Sequence, residues 1–288
     1  MFNKVKSKLS AKYWTSHNVT VHKKFKIKLE SIEYFNWRNI QYPGYINFLP
    51  VTGFDGKSVI DFGCGPGHDL VGFSEFSNPS RLMGVDVSST SLAEANQRLK
   101  LHGKAVELVK IEPERVHLPI EDNSIDYIHC SGVLMHVKSP VQVLSEFFRV
   151  LKDDGFIRLM VYNHDSIWLH LYVAHVLKTT DSRYNDLSIE EAFARSTDGF
   201  DCPISGKWTP EEMRDLALEA GFSCNHLGNA VSLFELSLLP QRFAPLMNPD
   251  FPIEHRNFLA SLTFDQQGIP YFHGNVAGID GCYELRKV

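Results

Sequence analysis

The chain has 288 residues, 43% hydrophobic and 22% charged, a balance that excludes disordered and fibrous classes and leaves ample apolar material for a core. That length fits one α/β domain with additions better than two independent domains. A formal net charge of −5 argues against a general nucleic-acid binder.

Eight lysines (Lys4, Lys6, Lys8, Lys12, Lys23, Lys24, Lys26 and Lys28) crowd the first 28 residues, with no acid among them. Such an arm can touch phosphate or an anionic membrane, although a solvated face is its commoner use. Aromatic residues follow at Tyr13, Trp14, Tyr34, Phe35, Trp37, Tyr42 and Tyr45. They read either as helix core or as a cage for a cation or a flat molecule, with Trp14, Trp37 and Tyr42 as candidate substrate contacts. Arg38, set among them, is placed to pair with a carboxylate. Residues 1–54 are thus expected to form a helical, aromatic lid segment.

Residues 57–62 read as a first strand, which Gly63-Cys64-Gly65-Pro66-Gly67 turns into a helix over 69–76. Glycines at alternate positions admit positive φ and leave no Cβ in the way, so a bulky ligand can lie on the turn. Asp61 at the strand's end repels a pyrophosphate and suits an ammonium. The Gly-x-Gly-x-Gly spacing also departs from the Gly-x-Gly-x-x-Gly of dinucleotide sites. A second strand over 81–85 ends on Asp86-Val87, and an acid there, about twenty residues past the glycines, is placed to accept from ribose hydroxyls.

Ser88 or Ser89 caps the next helix, with Leu92, Ala95 and Leu99 at helical spacing. Strands follow over 105–110 and 125–130. Ser139-Pro140 supplies N-cap and N1 for a helix through Val150, and Asp153-Asp154-Gly155 reads as a turn into a strand over 156–161. Thr209-Pro210-Glu211-Glu212 is a capping box opening a helix that ends at Gly221, and strands over 222–227 and 281–286 close the sheet. Insertions at about 165–207 and 229–278, expected to be mostly helical, flank the carboxyl ends of the strands, where ligands bind in such sheets. The apolar stretch 167–177 is too short to span a bilayer, and neither a leader-like apolar segment nor a run of eighteen apolar residues occurs. Cys64, Cys130, Cys202, Cys224 and Cys282 form no Cys-x-x-Cys pair and no metal-ligand spacing with histidine. The expectation is a cytoplasmic protein with reduced thiols and no metal.

The run Asp61-Phe62-Gly63-Cys64-Gly65-Pro66-Gly67 resembles the first motif of the class I S-adenosylmethionine-dependent methyltransferases, and Asp86 resembles their ribose-binding acid. The resemblance spans roughly residues 55–165, with a weaker match over 205–227. It implies a Rossmann-like, doubly wound sheet of seven mostly parallel strands with the last antiparallel, in a core over 55–288. It also implies S-adenosylmethionine as cofactor and S-adenosylhomocysteine as product. On that reading Asp61 reaches the methionine amine, and Gly63, Cys64, Gly65, Gly67, Asp86 and Val87 carry the ligand. Arg38 faces its carboxylate or an acidic substrate. An acid shortly before Leu118-Pro119 meets adenine, either Glu112 or Glu114; counting back favours Glu114, with Arg115 offering a backbone amide. Cys130 and Ser131 offer backbone contacts beside the sulfonium.

Methyl transfer from a sulfonium is an in-line displacement with an activated donor, so alignment and exclusion of water supply most of the acceleration. A base is needed only where the nucleophile keeps a proton. His164 is the candidate base, with Tyr162 to orient it and Asn163 beside it, where an acceptor would sit after the fifth strand. His136 is either a structural histidine or a second proton carrier. Residues 196–203 resemble a loop of some small-molecule methyltransferases. The expected activity is methyl transfer to an O, N or S nucleophile of a small metabolite. An RNA or lipid head-group acceptor has only the lysine arm in its favour. A non-catalytic cofactor-binding protein would show degraded motifs, and the glycine spacing with Asp61 disfavours an NAD-dependent dehydrogenase.

Overall fold

The computed structural model describes residues 12–18, 20, 22–113 and 116–288. Six strands of the main sheet come first in the chain: β1 (Ser58–Phe62), β2 (Arg81–Asp86), β3 (Glu107–Lys110), β4 (Ile125–Ser131), β5 (Leu151–Tyr162) and β6 (Phe222–Ala230). Three short strands, β7 (Thr263–Phe264), β8 (Pro270–Phe272) and β9 (Asn275–Val276), pair separately, and β10 (Asp280–Lys287) returns to the main sheet. The order is β3-β2-β1-β4-β5-β10-β6, with β10 antiparallel to both neighbours. This is the expected seven-stranded, doubly wound sheet with its last strand reversed.

Strand pleating sends alternate side chains to opposite faces, and both faces are covered. Val59 joins Leu70, Phe73, Leu92 and Phe35 beneath the helices His68–Phe76, Ser89–Leu101 and Lys28–Gln41. Ile60 and Phe62 join Leu144, Phe147, Met213 and Ala217 beneath the helices Pro140–Val150 and Pro210–Glu219. Phe147 is fully buried and meets Phe62 edge to face at 4.8 Å. Truncating it to alanine costs about 3–5 kcal/mol, a large part of the roughly 5–15 kcal/mol that holds an ordinary domain folded.

Helix starts follow local chemistry. Thr209 and Glu212 complete the expected capping box, and the Ser88 hydroxyl accepts from the Ser91 N–H. Ser139 occupies the N-cap position, but its side chain makes no capping bond, and Pro140 alone starts that helix. The turn expected at Asp153-Asp154-Gly155 is instead a bulge inside β5. Ile125 pairs with Leu151 and Tyr127 with Phe156, so the residues between are extruded. Lys152 secures the bulge through a 2.9 Å bond to Asp126.

The segments after β5 and after β6 hold most of the remaining elements. The first contains a π-helix, Trp168–Leu177, and the capped helix Ile189–Ala194. The second starts only after β6 ends at Ala230, and adds the β7–β9 sheet to its helices Leu233–Leu238 and Ile253–Ala260. A turn drives the β7–β8 hairpin: the Asp265 carboxylate accepts from the Gln267 and Ile269 N–H groups, both at 2.9 Å.

Lys4, Lys6 and Lys8 lie outside the described residues. Lys28 pairs with Glu75 at 2.7 Å, and the Lys23 ammonium sits 4.6 Å from the Tyr34 ring centre. Among the described residues no helix is long and apolar enough to cross a membrane.

Candidate cofactor and acceptor site

From β1 the sheet grows one way through β2 and β3 and the other way through β4 and β5, so a crevice opens beyond the carboxyl ends of β1 and β4. A cavity of about 860 Å³ occupies that place. Its floor is the glycine turn after β1. Gly63 has φ +77°, and a Cβ there would lie 2.1 Å from Val133 Cγ2; Gly65 has φ +50° and faces open space. The Gly63 and Cys64 N–H groups donate to the Val85 carbonyl at 2.7 and 3.0 Å, which ties the turn to β2.

Asp86, on the wall, ends β2 with both carboxylate oxygens held: Oδ2 accepts from Gly65 N–H at 2.8 Å and Oδ1 from Ser88 N–H at 2.7 Å. Burial raises its proton affinity while those donors and the Val87 N–H oppose the rise. Val87 lines the wall beside it, as do Ile111, Pro113 and Val116. Glu114 and Arg115, between the last two, lie outside the described residues. Glu112 faces solvent, 3.8 Å from Lys110, and does not line the cavity.

Asp61 is buried behind the wall with its Oδ2 unpartnered. Burial and the nearby Asp69 carboxylate push its pKa well up, with Arg38 opposing. Arg38 forms an ion pair with Asp69, and His129 lies 3.4 Å from the other Asp69 oxygen. Burial penalises the Asp69 charge, yet Arg38 and His129 hold its carboxyl far below the usual range. Thus Arg38 does reach the cavity, but its charge is shared with a protein carboxylate that the sequence reading did not consider; its Nε remains unpartnered.

Trp14, Tyr34, Trp37, Tyr42, Trp168 and Phe234 form aromatic walls, which places Trp14, Trp37 and Tyr42 on the cavity lining. Trp37 is 51% exposed. Ser131 lines the wall and its hydroxyl bonds Tyr45, whereas Cys130 is fully buried in the core beneath.

Opposite the glycine turn, His136, Tyr162 and Asp198 meet. The Tyr162 hydroxyl donates to Asp198 Oδ2 at 2.7 Å, and His136 Nε2 lies 3.3 Å from the same oxygen, close enough for an ion pair but not aligned as a hydrogen bond. His136 Nδ1 lies 2.7 Å from the Ile204 carbonyl, so both ring nitrogens face acceptors. Burial disfavours the charged ring, but Asp198 and Cys202 outweigh it and lift the His136 pKa to about 10. Held charged at neutral pH, His136 has no lone pair to receive a proton. Burial and Asp198 likewise push the Tyr162 phenol well up.

Gly67, expected to carry the ligand, does not line the cavity, and two residues expected on the acceptor side do not arrive there. His164 lies off the cavity: its backbone N–H is tied to the Trp208 carbonyl at 3.0 Å, and its ring sits 2.9 Å from Asp165 and 5.4 Å, centre to centre, from His170. Asn163 is wholly buried, and its Nδ2 donates to the Asp165 and Gly278 carbonyls. Asp198 and Asp280, both on the wall, had no assigned role in the sequence. Asp280 opens β10 opposite Tyr162, a register that only the folded sheet sets. Its carboxyl has no hydrogen bond or ion pair among the described residues. Burial, with Glu235 nearby, pushes its pKa well up.

A family described as a methyltransferase domain matches residues 60–159. An uncharacterised 37.1 kDa protein of a Streptomyces fradiae transposon is 34% identical over 181 residues, covering 62% of this chain and 47% of that protein. The 2-phytyl-1,4-beta-naphthoquinone methyltransferase of Arabidopsis thaliana chloroplasts is 28% identical over 194 residues, covering 62% of this chain and 72% of its own length. In fold, the geranyl diphosphate C-methyltransferase of Streptomyces coelicolor superposes with a TM-score of 0.52 at 16% identity, over 98% of both chains. The chain therefore spans less than half of the first of these relatives and about three-quarters of the second.

Proposed function

We propose that the chain is a class I S-adenosylmethionine-dependent methyltransferase, and that it moves a methyl group from S-adenosylmethionine to an O, N or S nucleophile of a small, flat, largely apolar molecule. The observation that carries this is the Asp86 carboxylate, oriented by Gly65 and Ser88 toward the open face of the glycine turn. An acid so placed suits a ribose diol and repels a phosphate. Behind the wall, the unpartnered Asp61 oxygen is the group proposed to meet the ammonium through a bridging water.

When bound, S-adenosylmethionine supplies a methyl group already activated on a sulfonium. The chain's own residues then have to align the acceptor and keep water out. Trp14, Trp37, Tyr42 and Trp168 offer flat faces for the acceptor, and aromatic faces also favour a nearby cation. The Arabidopsis relative is named for a naphthoquinone, a ring system of that kind. His136, kept charged by Asp198, orders Asp198 and Tyr162 rather than taking a proton. Asp280 is the carboxyl left on this wall to accept a proton where the acceptor bears one.

The test is an acceptor screen with methyl-labelled S-adenosylmethionine against small-molecule extracts, RNA and anionic vesicles. Label in an apolar aromatic metabolite is the expected result. Label confined to RNA or lipid head groups overturns the acceptor class, and no transfer to any fraction overturns the activity.

A further inference from the structure

Outside the cavity, two stretches far apart in the chain, 164–170 and 254–255, bring histidines together. His164 follows β5, His170 lies on the π-helix Trp168–Leu177, and His255 lies beside Glu254 on the helix Ile253–Ala260. None of the four lines the cavity. His170 Nδ1 and His255 Nδ1 face each other at 2.9 Å, and His164 Nε2 lies 3.9 Å from Glu254 Oε1. Donor atoms of His170, Glu254 and His255 all lie within 4.8 Å of one another, as do those of His164, Asp165 and His170.

We propose that His164, His170, His255 and Glu254 form a site for one Zn2+-like divalent cation, which pins both insertions to the end of β5. Zinc bonds to imidazole nitrogen of about 2.0–2.1 Å put tetrahedral neighbours about 3.3 Å apart, and the 2.9 and 3.9 Å separations bracket that spacing. His164 is oriented for the task. With its Nδ1 proton given to Asp165 at 2.9 Å, it presents the Nε2 lone pair, the carboxylate-histidine arrangement common behind metal ligands. His170 is 2% exposed and stacked on Phe258 at 4.0 Å, which holds its Nδ1 toward His255. Three histidines with one carboxylate are a borderline-soft donor set that favours zinc over magnesium or calcium. Cysteine spacing pointed to no metal because every ligand here is histidine or glutamate, gathered only by folding.

The full chain, stripped with a chelator, re-equilibrated with Zn2+ and desalted, is expected to retain one equivalent by mass spectrometry. With Co2+ it should show the intense visible bands of tetrahedral coordination. The double variant H164Q/E254Q changes two partly exposed side chains and should still fold. It is expected to lose at least about tenfold in Zn2+ affinity and the Co2+ bands, while a chelator lowers the melting temperature of the wild type only. A wild type that keeps no stoichiometric Zn2+, or a folded double variant that binds as tightly, overturns the site.

Discussion

Asp61, Gly63, Gly65 and Asp86 lie within two neighbouring strands and the turn between them, so their placement follows from spacing alone and was legible in the sequence. His164 and Asp280 were not legible in that way. Which face His164 turns to depends on Trp208, and Asp280 meets Tyr162 only through the antiparallel register of β10 and β5. His136 was visible as a residue but not as a charge, since Asp198 is 62 positions along the chain. Its proton affinity is raised on folding, from about 6.5 to about 10. The stabilisation is therefore full below pH 6.5 or so and is lost as pH climbs through about 10. Denaturant titrations of wild type and H136Q should show a stability gap at pH 6 that shrinks by pH 10.5. A gap that does not change with pH would contradict the ion pair. Asp280→Asn should lower turnover on a protonated acceptor by about a hundredfold or more while S-adenosylmethionine affinity stays within twofold. Unchanged turnover would remove Asp280 as the base.

At the scale of elements, the strands and capped helices were readable because each carries its own period and its own stop signals. The departures have local causes that side-chain chemistry supplies late. Asp153-Asp154-Gly155 has turn composition, but pairing on both sides of it keeps it within β5 as a bulge. The turn after β1 is the most constrained element. Gly63→Ala forces a Cβ to within 2.1 Å of Val133 at a φ of +77°, and should cost roughly 2–5 kcal/mol and abolish cofactor binding. Melting curves that match the wild type would show that the turn tolerates a Cβ and that this packing is misjudged.

Across the whole molecule, the topology of a doubly wound sheet places a crevice at the reversal of strand order, and three peripheral segments line it. The N-terminal segment gives Trp14, Trp37 and Tyr42, the first insertion gives Trp168 and Asp198, and the second gives Ser232 and Phe234. The residues of the proposed donor end were legible as a group in the sequence because they belong to the sheet. The acceptor end was not, because it is assembled from segments whose mutual packing no local pattern encodes. That division makes the donor the central claim. Calorimetric titration of the full chain tests it most directly: S-adenosylmethionine and S-adenosylhomocysteine should bind with dissociation constants of order 1–100 μM, about −8 to −5 kcal/mol, with NAD giving no heat. Binding of NAD with no heat from either sulfur nucleoside would contradict it.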